Sequence, residues 1–214
     1  YSEFTSNNIY QTYHFESNCQ IYELDFPINP DLDKYFSNQD KSFYYTGELP
    51  ENWLNSYYRI FLISTLDQDP LQFTIDLVQK ETGAESSDDL AISLIRLTQH
   101  LDYDCNKYFS YENLINDDYD TSFPYETLAD QSGVCGDFSL LMVKFLKELG
   151  YGTALLLYDQ VNHMAAGIQC PLETASYVSG NTGYCYIETT APTQIGYKPE
   201  MINGMPFTED PNII

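Results

Sequence analysis

The chain has 214 residues, 43% hydrophobic and 15% aromatic, enough to bury one sizeable core and too apolar for a disordered segment. Thirty-two acidic residues against nine basic ones give a formal net charge of −23, which excludes nucleic acid or an anionic membrane as the partner of a basic patch. No run reaches the ~18 apolar residues of a membrane-spanning helix, so this segment is not expected to insert.

Residues 9–28 predict a β-hairpin. Ile9 to Phe15 is aromatic and β-branched, Ser17-Asn18 supplies a turn, and Tyr22, Leu24, Phe26 and Ile28 recur on one face. Pro27 and Pro30 are expected to end the second strand, with a short helical turn over 31–36. His14 reads as structural. Helical spacing of Trp53, Leu54, Tyr57, Tyr58, Phe61 and Leu62 predicts a helix over 49–64. A second is expected after Asp69-Pro70, stopping at Gly83. A third follows the capping-box text Ser86-Ser87-Asp88-Asp89 and carries Leu90, Ile92, Leu94, Ile95, Leu97 and Leu101. These apolar stripes read as core-facing surfaces.

Residues 104–122 are polar and tyrosine-rich, and read as a solvated loop. Its acidic cluster, Asp117 to Asp120, has the oxygen donors a Ca2+ ion needs, but not the glycine and terminal glutamate of a full calcium loop. No other metal or cofactor is expected.

Cys135 then opens an apolar run that closes at Gly150, a predicted helix with a glycine stop. A buried strand is expected over 152–158. Two extended segments, His163 to Cys170 and Tyr184 to Thr190, flank the Ser/Gly/Asn/Thr-rich insert 172–183 and are expected to pair antiparallel. If Cys170 faces Cys185, the pleat puts His163, Ala165, Gly167 and Gln169 on one face with Tyr186, Glu188 and Thr190. Both cysteines then lie on the other face, where a disulfide can join them.

A thiol at a helix start faces unpaired N–H groups and the positive end of the helix dipole. With an imidazole as proton partner and a carboxylate to orient it, Cys135, His163 and Glu188 make the minimal kit for nucleophilic acyl chemistry. The remaining cysteines, Cys19, Cys105, Cys170 and Cys185, allow three pairings into two bridges. That even remainder, in a chain starting at Tyr1 rather than methionine, leads us to expect a processed product located outside the cell or at its surface. A cytoplasmic location is the alternative.

Several blocks together resemble the transglutaminase-like superfamily, relatives of the papain-like thiol enzymes. They are Pro124-x-Glu126-Thr127-Leu128, Gly133-x-Cys135 opening a helix that closes at Leu149-Gly150-Tyr151-Gly152, Asn162-His163-Met164-Ala165-Ala166-Gly167, and Tyr186-Ile187-Glu188-Thr189-Thr190-Ala191-Pro192. The wording is most similar to archaeal and bacterial members. Val134 and Gly136 stand where many members carry Asp and Glu, while Asp137 remains. The resemblance implies an α+β fold in which the nucleophile helix packs on an antiparallel sheet, with an N-terminal hairpin and helices added. Residues 1–75 would be an extension packed on a catalytic domain spanning 76–214.

The resemblance further implies that Cys135 attacks an amide carbonyl, His163 carries the proton, and Glu188 fixes the imidazole. The oxyanion would meet the Cys135 N–H and one upstream donor, with Gln99 the first candidate, Tyr103 the second and Trp53 the third. The expected activity is cleavage of peptide or isopeptide amides in a protein or peptide substrate, through a thioester. The alternatives are a transglutaminase joining glutamine to primary amines, and a catalytically idle cell-surface or assembly module. Oligomeric state is left open.

Overall fold

The computed structural model describes residues 7–112 and 120–214. The chain opens with the expected hairpin, β1 (Ile9–Ser17) and β2 (Gln20–Ile28), in continuous antiparallel register from Ile9 opposite Ile28 to Ser17 opposite Gln20. Alternation drives it: Tyr13, Phe15, Leu24, Phe26 and Ile28 are all buried, with exposed His14 and Asp25 and half-buried Pro27 between them. Pro27 does not end the strand. A two-stranded ribbon turns every other N–H away from its partner, and Pro27, opposite Tyr10, lacks only a donor the ladder does not use there.

Pro30 begins α1 (Pro30–Ser37), capped by Asn29, whose Oδ1 accepts from the N–H groups of Asp31 and Leu32 at 2.9 Å each. Helices α2 (Trp53–Leu62), α3 (Gln68–Thr82) and α4 (Ser87–Gln99) follow as the apolar stripes predict. Gly83 ends α3 at a positive φ of 68°, a conformation that glycine adopts without steric cost. Ser86 caps α4 through the Asp89 N–H. Residue 75 falls inside α3, and side chains before and after it share one core.

The two-residue strand β3 (Asp102–Tyr103) leads into α5 (Cys105–Glu112). The polar composition of this stretch predicts a loop, and α5 forms there instead. Its start depends on one side chain, Asp104, whose Oδ1 accepts from the Lys107 N–H at 2.9 Å. The calcium expectation lies almost wholly outside the described residues. Within them is Asp120, an exposed carboxylate 3.6 Å from Lys41 Nζ.

Helix α6 (Pro124–Asp130) and β4 (Ser132–Gly133) precede α7 (Cys135–Glu148), the central helix. After it come β5 (Thr153–Tyr158), β6 (His163–Cys170), β7 (Tyr177–Ser179) and β8 (Thr182–Ile187). The C-terminal segment adds the ribbon of β9 (Met201–Ile202) and β10 (Met205–Pro206), then β11 (Asn212–Ile213). The main sheet is antiparallel, in the order β11-β5-β6-β8-β7.

One face of this sheet presents Leu155, Leu157, Met164, Ala166, Ile168 and Ile187 to a core shared with Leu140, Leu141, Phe145 and the hairpin. On the other face, Ala154, Leu156, Tyr158, Ala165 and Tyr186 gather with Phe207 from the C-terminal segment. The domain is thus a mixed α+β arrangement, with α7 against a sheet. Hydrogen bonds stitch the hairpin to α6: Tyr13 Oη donates to the Leu128 carbonyl, and the Asn29 N–H donates to Tyr125 Oη at 2.8 Å.

Candidate active site

Cys135 is the first residue of α7 and is partly exposed. The helix start is held by Asp137 rather than by a side chain at the cap position. Its Oδ2 accepts from the Val134 N–H at 3.0 Å and pairs with Lys107 Nζ at 2.9 Å, while its Oδ1 accepts from the Ser122 N–H at 2.8 Å. Gly133 leaves room for this: a Cβ there would lie 2.9 Å from the Asp137 Cβ. Asp137 is therefore a clamp on the start of α7.

His163 begins β6 and Glu188 directly follows β8. The pairing is offset by two residues from the expected one, with Ile168 opposite Cys185 and Cys170 opposite Gly183. A two-residue slip leaves every side chain on its expected face. Cys170 and Cys185 are joined across the diagonal, with their Cα atoms 5.8 Å apart, and Cys19 and Cys105 are free and exposed. The second bridge that four cysteines allowed does not form.

Three elements meet at the imidazole. His163 Nε2 lies 3.2 Å from Glu188 Oε2 in a buried pair. Burial works to lower the His163 pKa, but hydrogen bonding and charge from Cys135, and then from Glu188, raise it well above the ordinary histidine value. Burial likewise works to raise the Glu188 carboxyl, and is overturned by His163, Tyr186 and the Thr190 N–H, which hold it below the usual range. The arrangement favours a charged pair.

Glu188 is fully occupied. Its Oε2 also accepts from Tyr186 Oη at 2.5 Å. Its Oε1 accepts from the N–H groups of Thr189 and Thr190 at 2.9 Å each, and from Thr190 Oγ1 at 2.7 Å. Tyr186 Oη also lies 3.4 Å from His163 Nε2. Burial, and then the charge of Glu188, push the Tyr186 phenol far up, so it remains a donor. The same turn is fixed to α7 by Thr189, whose Oγ1 donates to the Cys135 carbonyl at 3.4 Å and lies 3.3 Å from Ser139 Oγ.

Gln99 points at this turn and not at the thiol. Its Nε2 donates to the carbonyls of Glu188 at 2.7 Å and Thr193 at 3.4 Å, and its Oε1 accepts from Arg96 Nη1 at 2.9 Å. Of the three oxyanion candidates, Tyr103 is the one whose strand runs beside the segment leading to Cys135. Its strand pairs with Gly133, two residues before Cys135, and the charge of Cys135 adds to burial in raising its phenol. Trp53 opens α2, with its ring 6.3 Å from those of Phe43 and Tyr57.

Neither Tyr186 nor Thr189 is among the site residues that the sequence predicts. Pleat parity places Tyr186 on the face of Glu188, and that was the available signal. Nothing local marks the Thr189 hydroxyl, whose acceptor, the Cys135 carbonyl, is 54 residues away.

A family model described as a transglutaminase-like domain matches residues 74–193, just over half of the chain and the span that contains Cys135, His163 and Glu188. No curated protein and no solved structure matches the chain.

Proposed function

The chain belongs to the transglutaminase-like family, and we propose that it is a cysteine-dependent acyl enzyme with a papain-like core. The observation that carries this reading is the imidazole of His163 held between Cys135 and a Glu188 whose two oxygens are both saturated with donors. A surface carboxylate and a stray histidine have no need of such a frame.

In this reading Cys135 has passed its proton to His163, and Sγ attacks the carbonyl carbon of an amide beside the imidazolium. Nε2 is engaged by Glu188, which leaves Nδ1 to face the sulfur. The C–N bond breaks as the imidazolium returns that proton to the leaving amine, and a thioester remains on Cys135. Water then attacks with His163 as base, and the acid departs. Glu188 fixes the tautomer throughout. The oxyanion is met by the Cys135 N–H, one of the helix-start donors without an intrahelical acceptor. Tyr103 replaces Gln99 as the favoured second donor, because the Gln99 amide is committed to main-chain carbonyls. The chemistry calls on no cofactor. Protein or peptide amides are the proposed substrates, and the Cys170–Cys185 bridge supports an extracellular or surface setting.

The test is acylation by an activated ester in the presence of a primary amine. Hydrolysis is expected to dominate, and Cys135→Ala is expected to abolish both products. A wild type that yields mainly the amide is a transglutaminase proper. No Cys135-dependent product at all means an idle module.

A further inference from the structure

Two cysteines open helices that start side by side. Strands β3 and β4 pair in parallel, with Asp102 opposite Ser132 and Tyr103 opposite Gly133, and the Asp104 N–H donates to the Gly133 carbonyl at 2.8 Å. Each strand is followed by one residue and then a cysteine: Asp104-Cys105 opens α5, and Val134-Cys135 opens α7. Two residues further on, at equivalent positions again, Lys107 Nζ meets Asp137 Oδ2 at 2.9 Å. Positions 105 and 135 are therefore bracketed by contacts before and after.

Adjacent strands lie about 4.8 Å apart, and a disulfide needs Cα atoms roughly 4.4–6.8 Å apart, so strands paired at Tyr103 and Gly133 lead into helix starts at about the separation a bridge spans. Cys105 is exposed, Cys135 is partly exposed, and neither is in a disulfide.

We propose that Cys105 is the resolving thiol for Cys135, so that peroxide closes a reversible Cys105–Cys135 disulfide that switches the nucleophile off. The Cys135 thiolate attacks hydrogen peroxide, breaking the O–O bond to give a sulfenic acid and hydroxide. The Cys105 thiolate then attacks the Cys135 sulfur and expels its hydroxyl as a second hydroxide. Two thiols lose two electrons, and one peroxide becomes two waters once the thiol protons are counted. A dithiol reductant reverses the step. The pairing rests on Cys135 being the reactive thiol of the proposed function.

The experiment uses the full chain carrying Cys19→Ser, which removes the other exposed thiol. After brief treatment with a small excess of hydrogen peroxide, non-reducing peptide mapping should show a peptide linked through Cys105 and Cys135. Alkylation of Cys135 should fall at least tenfold and return with dithiothreitol. Adding Cys105→Ser should abolish the link and let Cys135 advance to sulfinic acid, which dithiothreitol does not reverse. Sulfinic acid forming at the same rate with and without Cys105, and no linked peptide, overturns the pairing. Acylation of Cys135 by an activated ester separates the two failures. A Cys135 that acylates but never links to Cys105 sinks only the pairing, and one inert to both reagents sinks the nucleophile assignment with it.

Discussion

At Glu188, five donors converge on one carboxylate, and the one that shares an oxygen with His163 is Tyr186. Its hydroxyl draws charge from the Oε2 that faces the imidazole. Removing it leaves a more basic carboxylate that is less firmly placed. Tyr186→Phe is therefore expected to lower kcat by about tenfold, equivalent to ~1.4 kcal/mol, with little change in KM. The sign of the pH effect follows from the charge: a more basic Glu188 stabilises the imidazolium, so His163 keeps its proton to higher pH. The alkaline limb of the kcat/KM profile should move upward. A variant that is merely less stable, with its profile unmoved, would show that Tyr186 only fills space.

Helix α7 is fixed along its length as well as at its start. Lys144, in its middle, is buried with Nζ 3.5 Å from Asp67 Oδ1, and donates to the carbonyls of Ser64 at 2.8 Å and Leu62 at 3.2 Å. Burial raises the Asp67 carboxyl and Lys144 only partly opposes it. Breaking such a pair from one side strands a charge in the core. Lys144→Met is expected to lower unfolding stability by about 3–5 kcal/mol in a urea titration, and Lys144→Met with Asp67→Asn to recover most of it. A loss below ~1 kcal/mol in the single variant would contradict this anchoring of α7.

Elements were legible where a pattern repeats within the element. The hairpin, α4 and α7 announce themselves through alternation, a cap and an apolar stripe, and they match their predicted spans closely. β7 and β11 carry no such pattern. They are three and two residues long, and exist because β8 and β5 offer an edge to pair with. The face shared by His163 and Glu188 was legible despite the two-residue offset, because the pleat repeats every two residues. The direction of Gln99 was not, since helical spacing shows that it points inward but not that its partner is a carbonyl 89 residues away.

Across the whole molecule, charge and core oppose each other. A formal charge of −23 spreads repulsion over a chain whose hairpin, helices and sheet share one principal apolar core. Salt shortens the reach of that repulsion, from about 30 Å at 0.01 M to about 3 Å at 1 M. The midpoint of thermal unfolding should therefore rise by several degrees between low salt and ~0.5 M sodium chloride. A midpoint that falls with salt would mean that ion pairs such as Lys41–Glu126 and Lys107–Asp137 outweigh the net repulsion. Among the described residues, no helix is long and apolar enough to cross a membrane.

The proposed chemistry turns on whether Cys135 forms a thioester. Intact-mass and peptide-mass measurement after brief exposure to an activated ester at mildly acid pH, where thioesters survive, tests it directly. One acyl group on the Cys135 peptide is expected, removed by hydroxylamine, absent in Cys135→Ala and formed at least a hundredfold more slowly in His163→Ala. Acyl groups scattered over Cys19 and Cys105, or equal rates with and without His163, would contradict it.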